Sequence, residues 1–151
     1  MGVDRDRLAA SLTRGSAFVV DTSVLIAYLE GGRDITEAAT LLFDGWVQSG
    51  RNRALVSSIS AMELLVGPLR ASHTVEEYLD FLQRFSNLEC VPVDIAVAEQ
   101  AAILRARHGI KPPDALIIGT AVAARADAIV TNDGAWLKVS PKPVVLLGDY
   151  V

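Results

Sequence analysis

Short apolar runs alternate with helical patterns along most of this chain, and the alternation limits the folds that it can adopt. The apolar runs predict strands near residues 17–20, 54–57, 88–91, 128–130 and 144–147. Helical patterns occupy residues 23–30, 36–49, 60–70, 75–85, 95–108 and 115–125. The strands are continuously apolar, as they are in a parallel sheet that helices cover on both faces. We therefore expect an α/β fold with a central parallel sheet.

Length and composition exclude several classes of protein. A chain of 151 residues, 51% hydrophobic and 21% charged, is long and apolar enough to form one folded domain. No apolar run is long enough to span a bilayer, and the first residues lack the apolar centre of a signal peptide. Cys90 is the only cysteine, which excludes an internal disulfide and a cysteine-rich zinc site. These features predict a cytoplasmic protein with no membrane association.

The charge balance is acidic. A net charge of −4 argues against a general nucleic-acid-binding protein. Basic residues near the predicted ends of elements could nevertheless line one rim, although a solvated surface explains scattered cations equally well. These residues are Arg51, Arg53, Arg70, Arg84, Arg105, Arg107 and Lys111.

Four acidic residues stand within or beside apolar runs. Asp21 follows the first predicted strand, Asp133 follows the fourth, Glu63 lies in the helix after the second, and Asp114 opens an apolar helix. A carboxylate near a core is costly unless it is paired, hydrogen-bonded or bound to a cation. Parallel strands place their carboxyl ends at one edge of the sheet, where α/β proteins bind ligands. We therefore expect the four side chains to meet there.

Each acid also has an ordinary structural explanation. Asp21 could cap the helix that begins near Ser23, and Glu63 could close a capping box with Ser60 unless Ser57 or Ser58 is the cap. Asp114 could stabilise the first turn of its helix through the helix dipole.

The remaining acid candidates have similar alternatives. Asp133 precedes Gly134 and could simply form a turn. Asp94 is interpreted as the N-cap of the helix over residues 95–108. The case for a functional site therefore depends on the four acids falling at compatible positions of one sheet edge.

Other kinds of catalytic site find little support in the sequence. His73 and His108 lack the spacing of a zinc motif, and Ser23 lacks the setting of a serine nucleophile. No phosphate-binding glycine loop is present. A phosphatase of the haloacid-dehalogenase type needs a second aspartate where Ser23 stands, and a receiver domain needs adjacent acids after the first strand.

Four segments together resemble the motifs of the PIN-domain nucleases, and especially of the VapC ribonuclease toxins. They occur in the family's order over nearly the whole chain from Ala17 onward. The segments are Val19-Val20-Asp21-Thr22-Ser23, Ser60-Ala61-Met62-Glu63-Leu64, Pro113-Asp114-Ala115-Leu116 and Val130-Thr131-Asn132-Asp133. The resemblance implies a three-layer α/β/α sandwich, with residues 1–16 as an N-terminal extension and residues 17–151 as a single PIN-like domain.

The resemblance also implies a site and a reaction. Its catalytic, metal-binding acids are Asp21, Glu63, Asp114 and Asp133. Polar neighbours that would support the acids or the phosphate are Thr22, Ser23, Thr131 and Asn132. The implied cofactor is Mg²⁺ or Mn²⁺, and the implied reaction is hydrolysis of RNA phosphodiester bonds.

The resemblance further implies a VapB-like antitoxin as partner, and a homodimer. Two alternatives stay open at this stage: an RNA-processing PIN nuclease without an antitoxin, and a catalytically inactive PIN-like binding module.

Overall fold

The computed structural model describes residues 2–151 and contains a five-stranded, fully parallel sheet. The strand order is β3-β2-β1-β4-β5. The strands are β1 (Ala17–Val20), β2 (Arg53–Ser57), β3 (Leu88–Val91), β4 (Ala128–Thr131) and β5 (Val144–Leu146). The prediction of a parallel α/β sheet is confirmed, because buried parallel strands consist of the continuous apolar runs seen in the sequence.

Helices cover both faces of this sheet. They are α1 (Arg5–Ser11), α2 (Thr22–Glu30), α3 (Thr36–Thr40), α4 (Ser58–Arg70), α5 (Glu76–Arg84), α6 (Ile95–His108) and α7 (Pro112–Ala123). The chain continues from α3 as a π-helix over Leu41–Val47, and 3₁₀ turns occupy Gly134–Lys138 and Leu147–Tyr150. The predicted helix over residues 36–49 is therefore real but changes its hydrogen-bond spacing after Thr40.

The core has two layers, one on each side of the sheet. Phe18 and Val20 of β1 face the layer that contains α1 to α5, whereas Val19 between them faces the layer that contains α6 and α7. Successive side chains of a strand point to opposite faces, so this alternation is expected. The result is the three-layer α/β/α sandwich that the resemblance implied.

The N-terminal segment is part of the first core layer. Leu8 and Leu12 are fully buried there, and Asp4 accepts a hydrogen bond from the Arg7 N–H at the start of α1. The backbone N–H of Asp4 donates to the carbonyl of Tyr150, so α1 lies against the C-terminal turn. The extension at residues 1–16 thus contains a helix that the sequence patterns did not reveal.

Two helices begin two or three residues earlier than predicted. Helix α7 begins at Pro112 rather than Ala115, because proline is favoured in the first turn, where its missing N–H costs nothing. Helix α4 begins at Ser58 rather than Ser60, and the Ser57 hydroxyl accepts a hydrogen bond from the N–H of Ile59. Both shifts place a candidate acid deeper in its helix.

Candidate active site

The candidate acids lie around the point where the strand order reverses. Strand β2 pairs with one edge of β1, and strand β4 pairs with the other edge. The carboxyl ends of β1 and β4 are therefore adjacent, and Asp21 and Asp133 follow these two ends. Such a switch point forms a crevice in which open α/β sheets bind their ligands.

Asp21 is the most deeply buried of the four acids. Its side chain is buried, and its Oδ2 accepts hydrogen bonds from the hydroxyls of Thr131 at 2.7 Å and Ser23 at 3.2 Å. Burial raises the pKa of Asp21, the Thr131, Thr22 and Ser23 donors lower it, and the charge of Asp114 raises it again. Asp21 occupies the N-cap position of α2 without a capping hydrogen bond. Asp21 therefore stands at the start of the helix, as the capping interpretation expects, but its carboxylate accepts from the Thr131 and Ser23 hydroxyls instead of capping the helix.

Glu63 is anchored by a hydroxyl from the neighbouring helix. The Thr22 hydroxyl lies 2.8 Å from Glu63 Oε1 and 2.9 Å from Ser60 Oγ, and its single proton favours the charged acceptor. Glu63 is the sixth residue of α4, since the cap is Ser57. The capping-box interpretation with Ser60 is therefore wrong.

Asp114 occupies the third position of α7, so it does lie in the first turn as the helix-dipole interpretation requires. Burial raises its pKa, the charges of Asp133 and Glu63 raise it further, and Lys111 opposes them with a smaller effect. The repulsion from two other acids therefore outweighs the nearby cation.

Asp133 and its two preceding residues form the fourth part of the site. Asp133 Oδ1 accepts a hydrogen bond from the N–H of Ala135, as the turn interpretation expects. Its own N–H donates to the Thr131 hydroxyl at 3.0 Å. The neighbouring Asn132 accepts a hydrogen bond from the N–H of Gly148 through its Oδ1. Thr131 therefore links Asp21 and Asp133 through one buried hydroxyl.

The four acids influence one another electrostatically. Asp21 interacts with Asp114, and Asp114 interacts with Glu63 and Asp133. Within residues 2–151, no salt bridge includes any of the four. The structure thus gathers the acids at one sheet edge without a salt bridge to any of them in this part of the chain.

The donor set suits a hard divalent cation, because it consists of carboxylate oxygens. Hydrogen bonds within residues 2–151 engage one oxygen each of Asp21, Glu63 and Asp133 and leave the second oxygen of each available. As they stand, no three acidic, histidine or cysteine side chains in this part of the chain lie close enough to hold one metal ion. The metal-binding role of the four acids therefore stays a prediction.

Several other residues differ from the sequence expectations. Arg51 and Arg53 lie at the amino end of β2, opposite to the acids, so for these two cations the alternative of a solvated surface holds and not a rim beside the site. Asp94 accepts a hydrogen bond from Val97 N and caps α6, as predicted.

Two features near the acids were not predicted from the sequence. Ser60 is fully buried beside Thr22, and an open groove bordered by Arg33 adjoins the site. The burial of Ser60 depends on how α2 and α4 pack together, and the groove depends on the course of the loop that follows α2.

A family model supports these observations. The model of the PIN domain matches residues 18–141, and the chain belongs to the PIN domain family. Nuclease activity is typical of this family, and its nucleases generally use divalent metal ions. No curated protein sequence matches the chain. Within residues 2–151, no helix has the length and apolar character that crossing a membrane requires.

Solved structures with the same fold come from toxin–antitoxin complexes. A toxin–antitoxin complex from Klebsiella pneumoniae contains a chain with 25% identity and a TM-score of 0.66, covering 86% of this chain and 97% of that one. VapBC-5 from Mycobacterium tuberculosis, a member of the VapBC toxin–antitoxin family, gives 25% identity, a TM-score of 0.55, and coverages of 86% and 96%. A DNA-bound VapBC from Salmonella typhimurium shares the fold at 24% identity and a TM-score of 0.60, with coverages of 86% and 97%.

Proposed function

We propose that this protein is a metal-dependent endoribonuclease and the toxin of a VapBC-type toxin–antitoxin pair. The observation that carries the proposal is the group of four acids at the switch point of the sheet, in which Asp21 and Asp114 have a raised pKa and form no salt bridge within residues 2–151. Acids that lack a structural partner are candidates for chemistry rather than for folding.

The catalytic and metal-binding residues in this proposal are Asp21, Glu63, Asp114 and Asp133, and the cation is Mg²⁺ or Mn²⁺. When bound, such a cation stabilises charge on a phosphoryl oxygen and lowers the pKa of a coordinated water. Thr131 holds Asp21 by its Oδ2, and Thr22 holds Glu63 by its Oε1. Fixing one oxygen of a carboxylate limits its rotation and directs the second oxygen toward its ligand.

In this proposal, polar residues beside the acids contact the substrate. Ser23 is exposed, although its hydroxyl already donates to Asp21. Asn132 is also exposed and has its Oδ1 fixed by Gly148. RNA with accessible single-stranded or looped segments suits an open, polar sheet edge of this kind.

The partners in the proposal are an antitoxin of the VapB type and a second copy of this chain. The support for an antitoxin is the likeness to chains from two toxin–antitoxin complexes that are each 25% identical to this one. A decisive genetic observation is growth arrest on expression of this protein, relieved by co-expression of a small DNA-binding protein encoded immediately upstream. Growth that continues unchanged would reject the toxin role and leave an RNA-processing nuclease.

The biochemical test is cleavage of structured RNAs by the purified protein with Mg²⁺, with a chelator, and after Asp21→Asn. We expect cleavage only by the unaltered protein with Mg²⁺. Asp94→Asn is a matched control, because it makes the same chemical change at a helix cap that asparagine also fills well.

Two outcomes would contradict the proposal. Cleavage that survives both chelation and Asp21→Asn would reject the metal mechanism. The absence of RNA cleavage by the unaltered protein, with retained binding to a partner protein, would favour the inactive binding module.

A further inference from the structure

An open groove of about 560 Å³ lies next to the acidic site. Ser23 and Asn132 line the groove and connect it to the site: Ser23 donates to Asp21, and Asn132 directly precedes Asp133. The segment over residues 32–35, which follows α2, also lines the groove. The groove therefore extends the candidate active site toward the loop between α2 and α3.

Arg33 is the basic residue in the lining of this groove. Its side chain is 46% exposed, and it donates through Nη1 to the carbonyl of Gly31 at 2.8 Å. Its Nη2 lies 3.4 Å from Glu30 Oε1. A guanidinium has five N–H donors in a planar fork, so these two contacts leave donors for a phosphate.

The loop that carries Arg33 is well anchored. Gly31 and Gly32 have φ angles of 71° and 74°, a backbone conformation that side-chain-bearing residues rarely adopt. The N–H of Arg33 donates to the Thr36 hydroxyl, which itself donates to the carbonyl of Ala27. The position of Arg33 is therefore set before a ligand arrives, which reduces the entropy lost on binding.

Asn132 supplies a second donor to the lining of the groove. Because Gly148 N–H donates to its Oδ1, the other end of the amide is the Nδ2 group, which makes no hydrogen bond within residues 2–151. A methyl group at position 148 would lie 2.7 Å from Asn132 Oδ1, so a larger residue there would displace the Asn132 amide. The Asn132 amide is therefore held in one orientation.

The remaining lining explains which kind of ligand fits. Ile26 supplies an apolar surface, whereas Asp34 adds one negative charge. An occupant of the groove thus needs an apolar face and acceptor atoms near Arg33 and Asn132. A nucleotide meets these requirements. Its flat base supplies the apolar face, and its carbonyl and phosphate oxygens supply the acceptor atoms.

We infer that this groove binds one nucleotide of single-stranded RNA next to the scissile phosphate, with its phosphate on Arg33 and its base against Ile26. The choice of RNA rests on the proposed ribonuclease function. Arg33 and Asn132 act as positioning residues for the substrate, because they lie outside the group of four acids.

Binding is measured by fluorescence anisotropy with a labelled, mixed-sequence single-stranded RNA 12-mer, over a series of salt concentrations. All proteins in this titration carry Asp21→Asn, so that the RNA stays intact. We expect Arg33→Ala to weaken binding about tenfold. It should also make the plot of log association constant against log salt concentration less steep by about 0.7, the value for one phosphate contact on a single strand.

Three further variants make the test specific. Asn132→Asp keeps an acceptor for Gly148 N–H but removes the donor, so it should weaken binding. Asp34→Asn removes the negative charge of the groove and should strengthen binding. Arg84→Ala is the matched control, because it removes an exposed arginine that pairs with Asp80 at the end of α5. It should leave both the affinity and the salt slope unchanged.

Cleavage by the proteins that retain Asp21 completes the design. Arg33→Ala should raise KM more than it lowers kcat, because it removes a substrate contact and leaves the acids in place. If Arg33→Ala and Arg84→Ala give the same salt slope and the same KM, the groove assignment is overturned. If the protein with all four acids cuts no RNA, the proposed nuclease function fails, while the salt slopes still decide whether Arg33 contacts the phosphate.

Discussion

Thr131 offers the sharpest test of how the site is held together. Its side chain is fully buried at the end of β4, where the hydroxyl donates to Asp21 Oδ2 at 2.7 Å and accepts from Asp133 N at 3.0 Å. Thr131→Val keeps the branched shape and removes the hydroxyl. Both contacts are lost, while the volume of the side chain barely changes.

The expected loss of stability follows from these two hydrogen bonds of Thr131. A hydrogen bond to a charged group contributes about 1.5–3 kcal/mol to the free energy of unfolding, and Asp21 is only 9% exposed, so water replaces little of it. Asp133 is exposed, so water can take over the contact to its N–H. We expect Thr131→Val to lower the free energy of unfolding by about 2–3 kcal/mol near neutral pH.

The effect should depend on pH with a defined sign. The Thr131 hydrogen bond lowers the pKa of Asp21, so it stabilises the ionised form more than the protonated form. Its full contribution is therefore present above the pKa of Asp21 and decreases as the pH falls through that value. In acid, the cost of Thr131→Val should shrink to about 1 kcal/mol, the value for a neutral hydrogen bond.

Urea unfolding followed by circular dichroism, with chelator present and at both pH values, measures this difference. Thr120→Val is the control: Thr120 is equally buried, but its hydroxyl donates to the backbone carbonyl of Leu116, which does not titrate. The reasoning is refuted if the two substitutions show the same dependence on pH.

Two further predictions concern the metal and the N-terminal helix. Ionising Asp21 and Asp114 costs more in the folded chain because their pKa is raised, so the metal-free protein loses stability as the pH rises through these values. Mg²⁺ should therefore raise the melting temperature more at about pH 8 than at about pH 5 in scanning fluorimetry, and an equal or absent rise would contradict a metal site. Leu8→Ala should lower the free energy of unfolding by about 2–5 kcal/mol, since Leu8 is fully buried. In the same urea assay, Leu69→Ala is the control, because Leu69 is exposed, and it should change the free energy of unfolding by less than about 0.5 kcal/mol. An equally small effect of Leu8→Ala would exclude α1 from the core.

The sheet could be predicted from the sequence because each buried strand is a short apolar run. The N-terminal helix could not, since α1 carries only Leu8 as a buried residue and Leu12 follows it outside the helix. A single apolar position gives no period, so tertiary packing against the C-terminal turn decides that this segment is ordered.

The positions of the acids could also be predicted, but their surroundings could not. Asp21 and Asp133 follow apolar strands, which the sequence shows directly. The cation of the groove, Arg33, follows two glycines in a loop whose course depends on positive φ angles. Arg53 does not lie near the acids for a simple reason: it stands at the amino end of β2, and the length of the strand separates it from the carboxyl end.

Comparison of two aspartates shows why folding alone does not account for the site. Asp94 accepts a hydrogen bond from Val97 N and stabilises the start of α6. Asp114 makes no hydrogen bond through its carboxylate within residues 2–151, and its pKa is raised by burial and by two neighbouring acids. An asparagine or an apolar residue at position 114 would avoid that repulsion, so the acidic group weakens the metal-free fold. Such a cost is typical of functional sites, and a bound cation is the simplest partner that turns the repulsion among these acids into attraction.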